Sequence, residues 1–185
     1  MPSHNSLNDD TVDVRALLEH TELFHCPTCQ SAFVAAAPDS VSCVTGHQFP
    51  VDQGVPILFS PHVEYRSRKD VTDAIKAFYM EHPFPDYEDT DSVGTLIERA
   101  EQNVFTRALD ESIPHAARVL EVGCGTGQLS LYLSVAKRQT IGVDLCPNSL
   151  HLARRFRDTH GLSRALVYQM NLFRPIFKLE SFDLN

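Results

Sequence analysis

Three glycines within five residues constrain the fold of this chain more than any other feature of its sequence. The chain has eight glycines in 185 residues, and Gly123, Gly125 and Gly127 lie between an apolar run, 117–122, and a helical pattern, 128–136. A turn from a strand into a helix needs glycine where φ is positive or where a ligand contacts the backbone. The helix that follows presents unpaired N–H groups and the positive end of its dipole. The sequence therefore predicts a loop that can hold a carboxylate or a phosphate.

The segments on either side of this loop alternate between strand and helix patterns. Predicted strands cover 117–122, 139–144 and 165–171, predicted helices cover 128–136 and 147–160, and 181–185 reads as the beginning of a fourth strand. This alternation predicts an α/β sheet with helices on both faces. Upstream, the patterns predict helices over 11–24, 69–80 and 95–112, and short strands within 25–60.

The spacing of the glycines separates two classes of cofactor. A dinucleotide fingerprint that starts at Gly123 requires Gly or Ala at position 128, where Gln128 stands. The same fingerprint started at Gly125 fails at Ser130. A nicotinamide- or flavin-dependent oxidoreductase is therefore disfavoured. Asp144 ends the second predicted strand, where a carboxylate accepts hydrogen bonds from ribose hydroxyls in nucleoside-binding sheets. The alternative is a tight turn, with Asp144 serving only as a helix cap.

Two segments, VLEVGCGTGQLS (119–130) and GVDLCPNSL (142–150), resemble the class I methyltransferases that use S-adenosylmethionine (SAM). The resemblance covers about residues 75–185 and implies a Rossmann-like sheet. It implies that the methionine part of SAM is surrounded by Glu121, Gly123, Cys124, Gly125, Thr126 and Gly127. Asp144 would hold the ribose, and Leu145 would pack on the adenine. Asn171 stands where the family often has an Asp that bonds the adenine amine.

Two tyrosines extend this expectation upstream. The segment 83–87, with Phe78 and Tyr79, resembles the N-terminal lid of one bacterial branch of the family. Tyr79 and Tyr87 are therefore expected to close over SAM, and the alternative is that they are core or surface aromatics.

Cys26, Cys29, Cys43 and His47 form a second constellation, within 22 positions. A C-x2-C pair and a second pair from a hairpin suit a structural Zn²⁺ ion, because four protein ligands leave no open position. The ion would stabilise a module of roughly 35 residues that is too small for an adequate core of its own. Free core cysteines are the alternative, and His25 is a poorer candidate for the fourth ligand.

The region around these ligands resembles the zinc ribbons of methyltransferase activators, and those fused to the front of bacterial rRNA guanine methyltransferases. Charge does not favour nucleic acid, because the chain has a formal net charge of −8 and residues 1–60 contain one basic and seven acidic residues. The methyl acceptor stays open between RNA, a protein side chain and a small molecule.

The patterns divide the chain into four parts: an N-terminal tail and helix (1–20), a zinc ribbon (21–62), a linker with N-terminal helices and lid (63–115), and a SAM-binding half domain (116–185). The half domain is expected to be cut short after its third strand, with only the start of a fourth. The alternative to an enzyme is therefore a catalytically incomplete module that acts through a protein partner. No targeting segment is visible, and no apolar stretch approaches the length of a membrane-spanning helix, which makes a cytoplasmic location the default expectation.

Overall fold

The structure is a computed structural model that describes residues 12–37, 39–63, 65, 71–82, 87–88 and 91–184. Its helices and strands are, in chain order, α1 (Val12–Glu19), β1 (Phe33–Ala37), β2 (Ser40–Cys43), β3 (Gln48–Asp52), β4 (Val55–Leu58), α2 (Thr72–Glu81), α3 (Val93–Gln102), α4 (Val104–Ser112), β5 (Arg118–Val122), α5 (Gln128–Val135), β6 (Gln139–Asp144), α6 (Pro147–His160) and β7 (Ala165–Met170). Among the described helices, none is long and apolar enough to cross a membrane.

The strands form one mixed sheet in the order β1-β2-β3-β4-β7-β6-β5. The first four strands are an antiparallel meander, and β5, β6 and β7 are parallel to one another. The two halves join where Ile57 and Leu58 of β4 pair in parallel with Gln169 and Met170 of β7. The predicted ribbon and the predicted half domain therefore share a single sheet.

Both faces of this sheet are covered, as the alternation of strands and helices predicts. Successive side chains of a strand point to opposite faces. Leu166 and Tyr168 of β7 pack in one core with Leu17 of α1, whereas Ala165 and Val167 pack in the cores that involve α5 and α6. The fold is thus a Rossmann-like α/β arrangement, and the core that contains Leu166 and Tyr168 also contains residues of the N-terminal strands.

The boundaries of α6 follow from local chemistry. Pro147 occupies its first turn, where the missing N–H costs nothing, and Gly161 ends it with a left-handed φ of 67°. Strand β6 and helix α6 have the predicted bounds, 139–144 and 147–160.

The helix predicted over 95–112 is wrong in one respect, because it is two helices that meet at Asn103. The Asn103 side chain accepts hydrogen bonds from the N–H groups of Phe105 and Thr106 at 3.0 and 3.1 Å. Asn is a favoured N-cap because its side chain competes with the helical backbone for these donors. The apolar stripe continues from α3 into α4, so the spacing of apolar residues gives no sign of the break at Asn103.

Helix α1 is attached to the sheet through a buried ion pair. Arg157 of α6 donates to both carboxylate oxygens of Asp13 at 2.7 and 2.8 Å, and the N–H of Val167 donates to the same carboxylate at 2.8 Å. Asp13 therefore satisfies a backbone donor of β7 in the part of that strand that β4 does not reach. The helix predicted over 11–24 ends earlier than expected, at Glu19.

The beginning of a fourth parallel strand lies beside β5, as predicted. Leu184 forms a parallel bridge with Val119, and its carbonyl accepts from the N–H of Leu120 at 3.0 Å. Residue 185 lies outside the described residues.

Candidate active site and metal centre

The carboxyl ends of β5, β6 and β7 open onto a cleft of about 840 Å³. Its opposite wall comes from α2, where Ile75 and Tyr79 are one helical turn apart. Ligand pockets usually measure about 300–1,000 Å³. Eight residues that the sequence assigns to SAM line the cleft: Tyr79, Glu121, Gly123, Cys124, Gly125, Asp144, Leu145 and Asn171.

The glycine loop has the backbone that its sequence predicts. Gly123, Gly125 and Gly127 have φ values of 74°, 55° and 73°, in a region that residues other than glycine rarely adopt. A Cβ atom on Gly123 would meet no atom within 4 Å, so this part of the loop is an open cradle on the wall of the cleft. Gly127 instead lies 3.0 Å, measured from the ideal Cβ position, from the Cβ of Ala153, which lets α5 approach α6.

Asp144 connects the loops that follow β5 and β6. One carboxylate oxygen accepts from the N–H of Gly125 at 2.9 Å, and the other accepts from the N–H of Cys146 at 2.8 Å. The N-cap of α6 is Cys146, so Asp144 precedes the cap position. A carboxylate has about four acceptor sites. Asp144 can therefore hold both loops and still accept hydrogen bonds from a ligand.

Glu121 fixes the first turn of α5 to the end of β5. Its carboxylate accepts from the N–H of Ser130 at 2.9 Å and from the hydroxyl of the same residue at 2.5 Å. Burial raises the pKa of Glu121 above its usual range, the hydrogen bonds from Ser130 lower it, and the charge of Asp144 raises it. Glu121 thus contributes a positioned acceptor at the end of β5.

Gly142 of β6 is closely packed against residues of the glycine loop and α5, and a substitution there tests this packing. An added Cβ would lie 2.9 Å from the sulfur of Cys124 and 3.2 Å from the hydroxyl of Ser130. We expect Gly142→Ala to lower the free energy of unfolding by about 1–3 kcal/mol, measured by denaturant titration, because overpacking forces these side chains to shift. The control is Gly94→Ala in α3, where the nearest atom lies at 3.5 Å. This change should be neutral or stabilising, since Ala favours helices. Equal effects of the two substitutions would contradict the packing argument.

The remaining three predicted SAM residues lie around the loop and do not line the cleft. Thr126 is buried, and its carbonyl accepts from the hydroxyl of Tyr87 at 2.9 Å. The ring of Tyr87 stacks on Phe156 with centroids 4.5 Å apart, and burial raises the pKa of its hydroxyl. Tyr87 therefore braces the glycine loop at Thr126, Gly127 packs against Ala153 of α6, and Tyr79 lies on the wall of the cleft. Residues 83–86 of the predicted lid lie outside the described residues.

Two residues of the cleft have no signal in the sequence. His62 follows β4, and its Nδ1 lies 3.2 Å from Nδ2 of Asn171. Phe173 follows β7, and its ring centroid lies 4.6 Å from that of His62. Residues 62 and 171 meet only because β4 pairs with β7, a contact between segments more than 100 positions apart.

The four candidate metal ligands converge on one point. The ligand atoms of Cys26, Cys29, Cys43 and His47 all lie within 4.8 Å of one another. The sulfurs of Cys29 and Cys43 are 3.7 Å apart, and Sγ of Cys43 lies 3.5 Å from Nδ1 of His47. A tetrahedral Zn²⁺ ion with bonds of about 2.3 Å to sulfur and 2.0–2.1 Å to nitrogen requires separations of about 3.8 and 3.5 Å. The rival ligand, His25, instead has its Nδ1 3.2 Å from the carbonyl oxygen of Cys26.

Local turns bring these ligands together. The N–H of Gln30 donates to the carbonyl of Cys26 at 2.8 Å, which closes the first turn. Cys43 ends β2, and Gly46, with a φ of 87°, turns the chain so that the N–H of Cys43 donates to the carbonyl of His47 at 3.0 Å. The turn that carries Cys26 and Cys29 therefore faces the hairpin that carries Cys43 and His47, as the ligand spacing predicts.

The surroundings favour thiolate at two of the three cysteines. Burial raises the pKa of Cys43, but hydrogen bonds from Thr45, Ser31 and His47 lower it to about 5. Hydrogen bonds from Ser31 and Thr45 lower the pKa of Cys29 to about 7. Thiolate is the form of cysteine that binds metals.

The C-terminal region of the chain is similar to known methyltransferases. Residues 119–185 match the family model described as a methyltransferase domain. A release factor glutamine methyltransferase of Geobacter sulfurreducens is 34% identical over 91 residues, 48% of this chain and 31% of that protein. A putative methyltransferase of Bacillus subtilis, YqeM, is 30% identical over 60 residues, 32% of this chain and 24% of that protein. The chain thus spans less than a third of the length of these curated relatives.

Among solved structures, the PH0226 protein of Pyrococcus horikoshii has a TM-score of 0.45 and 21% identity, covering 59% of this chain and 49% of that chain.

Proposed function

We infer that this chain, whose residues 119–185 match a methyltransferase domain, binds SAM in the cleft and transfers its methyl group to an acceptor. The observation that carries the proposal is the position of Asp144. Its carboxylate bonds to Gly125 in the glycine loop and lines the cleft beside Leu145. A nucleoside ligand needs an acidic acceptor at the end of the second strand of such a sheet.

The residues present fit SAM in shape and in chemistry. The open backbone at Gly123 accommodates a ligand that approaches the main chain closely. The loop also leads into the N-terminal end of α5, whose dipole favours a carboxylate such as that of the methionine part. The apolar wall formed by Leu145 and Phe173 suits a flat heteroaromatic ring.

In the proposed mechanism the protein acts mainly by positioning. When bound, SAM supplies a methyl group on a positively charged sulfur, which an acceptor can take up directly. Asp144 and the glycine loop orient the donor end of the cleft, and α2 with Tyr79 covers it against water. Glu121 is engaged by both donors of Ser130, which supports a role in holding the loop over a role in proton transfer.

The second part of the proposal is a structural Zn²⁺ ion on Cys26, Cys29, Cys43 and His47. The separations between ligand atoms support tetrahedral coordination, and four protein ligands leave no position for a substrate. The ion would brace β1 to β3 against the rest of the sheet.

Calorimetry of the zinc-loaded chain tests the cofactor assignment. We expect SAM and its demethylated product S-adenosylhomocysteine (SAH) to bind with one site per chain, because the cleft recognises the nucleoside that both contain. NADH at the same concentration should give no binding heat, since Gln128 departs from the dinucleotide spacing. Absence of binding for both SAM and SAH would contradict the proposal.

A further inference from the structure

Part of the cleft wall comes from the segment that follows β4. Because β4 runs parallel to β7, the carboxyl ends of both strands open at the same edge of the sheet. The chain that leaves β4 therefore passes Asn171, whose Nδ2 donates to the carbonyl of Ser60 at 2.8 Å. His62, two residues further on, lines the cleft.

Two backbone groups favour one orientation of the Asn171 amide. The carbonyl of Ser60 only accepts, so the atom of Asn171 that faces it is the amide nitrogen. The N–H of Phe173 only donates, so the atom that it meets at 3.1 Å is Oδ1. Asn171 is 3% exposed, which makes both hydrogen bonds costly to lose.

His62 takes the second hydrogen of the same amide. Its Nδ1 lies 3.2 Å from Nδ2 of Asn171 and accepts from it, so both amide hydrogens are engaged. The hydrogen-bonding atom that Asn171 can still offer to a ligand is Oδ1, which has a second acceptor site. The imidazole ring is held in place by Phe173, at a centroid distance of 4.6 Å, and by Tyr65, at 5.9 Å.

We propose that His62 is a positioning residue that gives the cleft its selectivity for adenine, an inference that rests on the proposed function. By accepting from Asn171, His62 keeps an acceptor, and not the amide donor, presented to the ring of the ligand. The amine of adenine is a donor that matches this acceptor. Hypoxanthine has a carbonyl oxygen at the same position and meets Oδ1 as one acceptor against another.

The test compares SAH with its hypoxanthine counterpart, S-inosylhomocysteine, by calorimetry on the full chain. His62→Phe keeps a ring against Phe173 but removes the acceptor. His62→Asn is the matched control, because its Oδ1 can take the place of Nδ1. We expect the preference of the wild-type chain for SAH to fall about 10-fold in His62→Phe and to be largely kept in His62→Asn, since a hydrogen bond of about 1.4 kcal/mol corresponds to a factor of ten. Thermal melting of each variant monitors folding.

The possible results separate the inference from the function on which it rests. If the wild-type chain binds neither compound, the proposed function fails and the role of His62 falls with it. If the wild-type chain binds SAH and His62→Phe keeps the wild-type preference, only the inference is overturned. Equal weakening of both compounds in both variants would reduce His62 to a structural residue and would also overturn it.

Discussion

Replacing Cys43 by Ser is expected to abolish zinc binding and to destabilise the fold by more than about 4 kcal/mol, the range in which loss of a metal site belongs. Cys43 is buried, and it shares one hydrophobic core with Phe33 and Val41 of the hairpin and with Leu166 and Tyr168 of β7. Loss of a bound ion would therefore loosen a core that also includes residues of β6 and β7. Zinc content measured by metal analysis and the midpoint of thermal unfolding are the two readouts.

A matched control for this experiment is Cys146→Ser. Cys146 is also buried, but it lies outside the metal cluster, at the N-cap of α6. Serine is a favoured N-cap, so this variant should keep its zinc and melt close to the wild-type temperature. If Cys43→Ser also retained one zinc per chain and the wild-type melting curve, the cluster would not be a metal centre.

Replacing Asp144 by Ala should weaken SAH binding about 100-fold or more, measured by calorimetry. The substitution removes the acceptor proposed for the ribose hydroxyls, and it also leaves the N–H groups of Gly125 and Cys146 without their partner. Hydrogen bonds to a charged group contribute about 1.5–3 kcal/mol each, so losing more than one of them accounts for an effect of this size.

Two further variants show whether the effect belongs to the carboxylate. Asp144→Asn keeps one acceptor oxygen and is expected to bind SAH with an intermediate affinity. Asp52→Ala removes an exposed carboxylate of β3 that pairs with His151, and it should bind SAH as the wild-type chain does. Wild-type affinity in Asp144→Ala would mean that SAH binds elsewhere or not through the ribose.

Features that depend on adjacent residues were predictable from the sequence. The glycine spacing predicted a loop with positive φ, and all three glycines have it. Pro147 and Gly161 marked both ends of α6 correctly because their effects act within one turn of the helix. The ligand spacing predicted that the three N-terminal cysteines converge with His47, since the turn of a C-x2-C pair and a hairpin are both local structures.

Competition between local signals hid one feature. Asn103 divides the predicted 95–112 helix, yet the apolar residues on its two sides keep a helical spacing. The side-chain hydrogen bonds of Asn103 outweigh that pattern because they satisfy the first donors of α4.

The sequence by itself therefore determined the glycine loop, the acidic residue at the end of β6, the convergence of the candidate metal ligands and the bounds of the elements from β5 to β7 to within one residue. Only the tertiary structure decided that β4 adjoins β7, and hence that His62 and Asn171 meet at the cleft. The physical reason is that the edge of β7 carries backbone donors and acceptors that must find partners, and any strand of suitable length can supply them. On the same edge, the carboxylate of Asp13 in α1 accepts from the N–H of Val167, and no local pattern encodes a contact between residues so far apart in the chain.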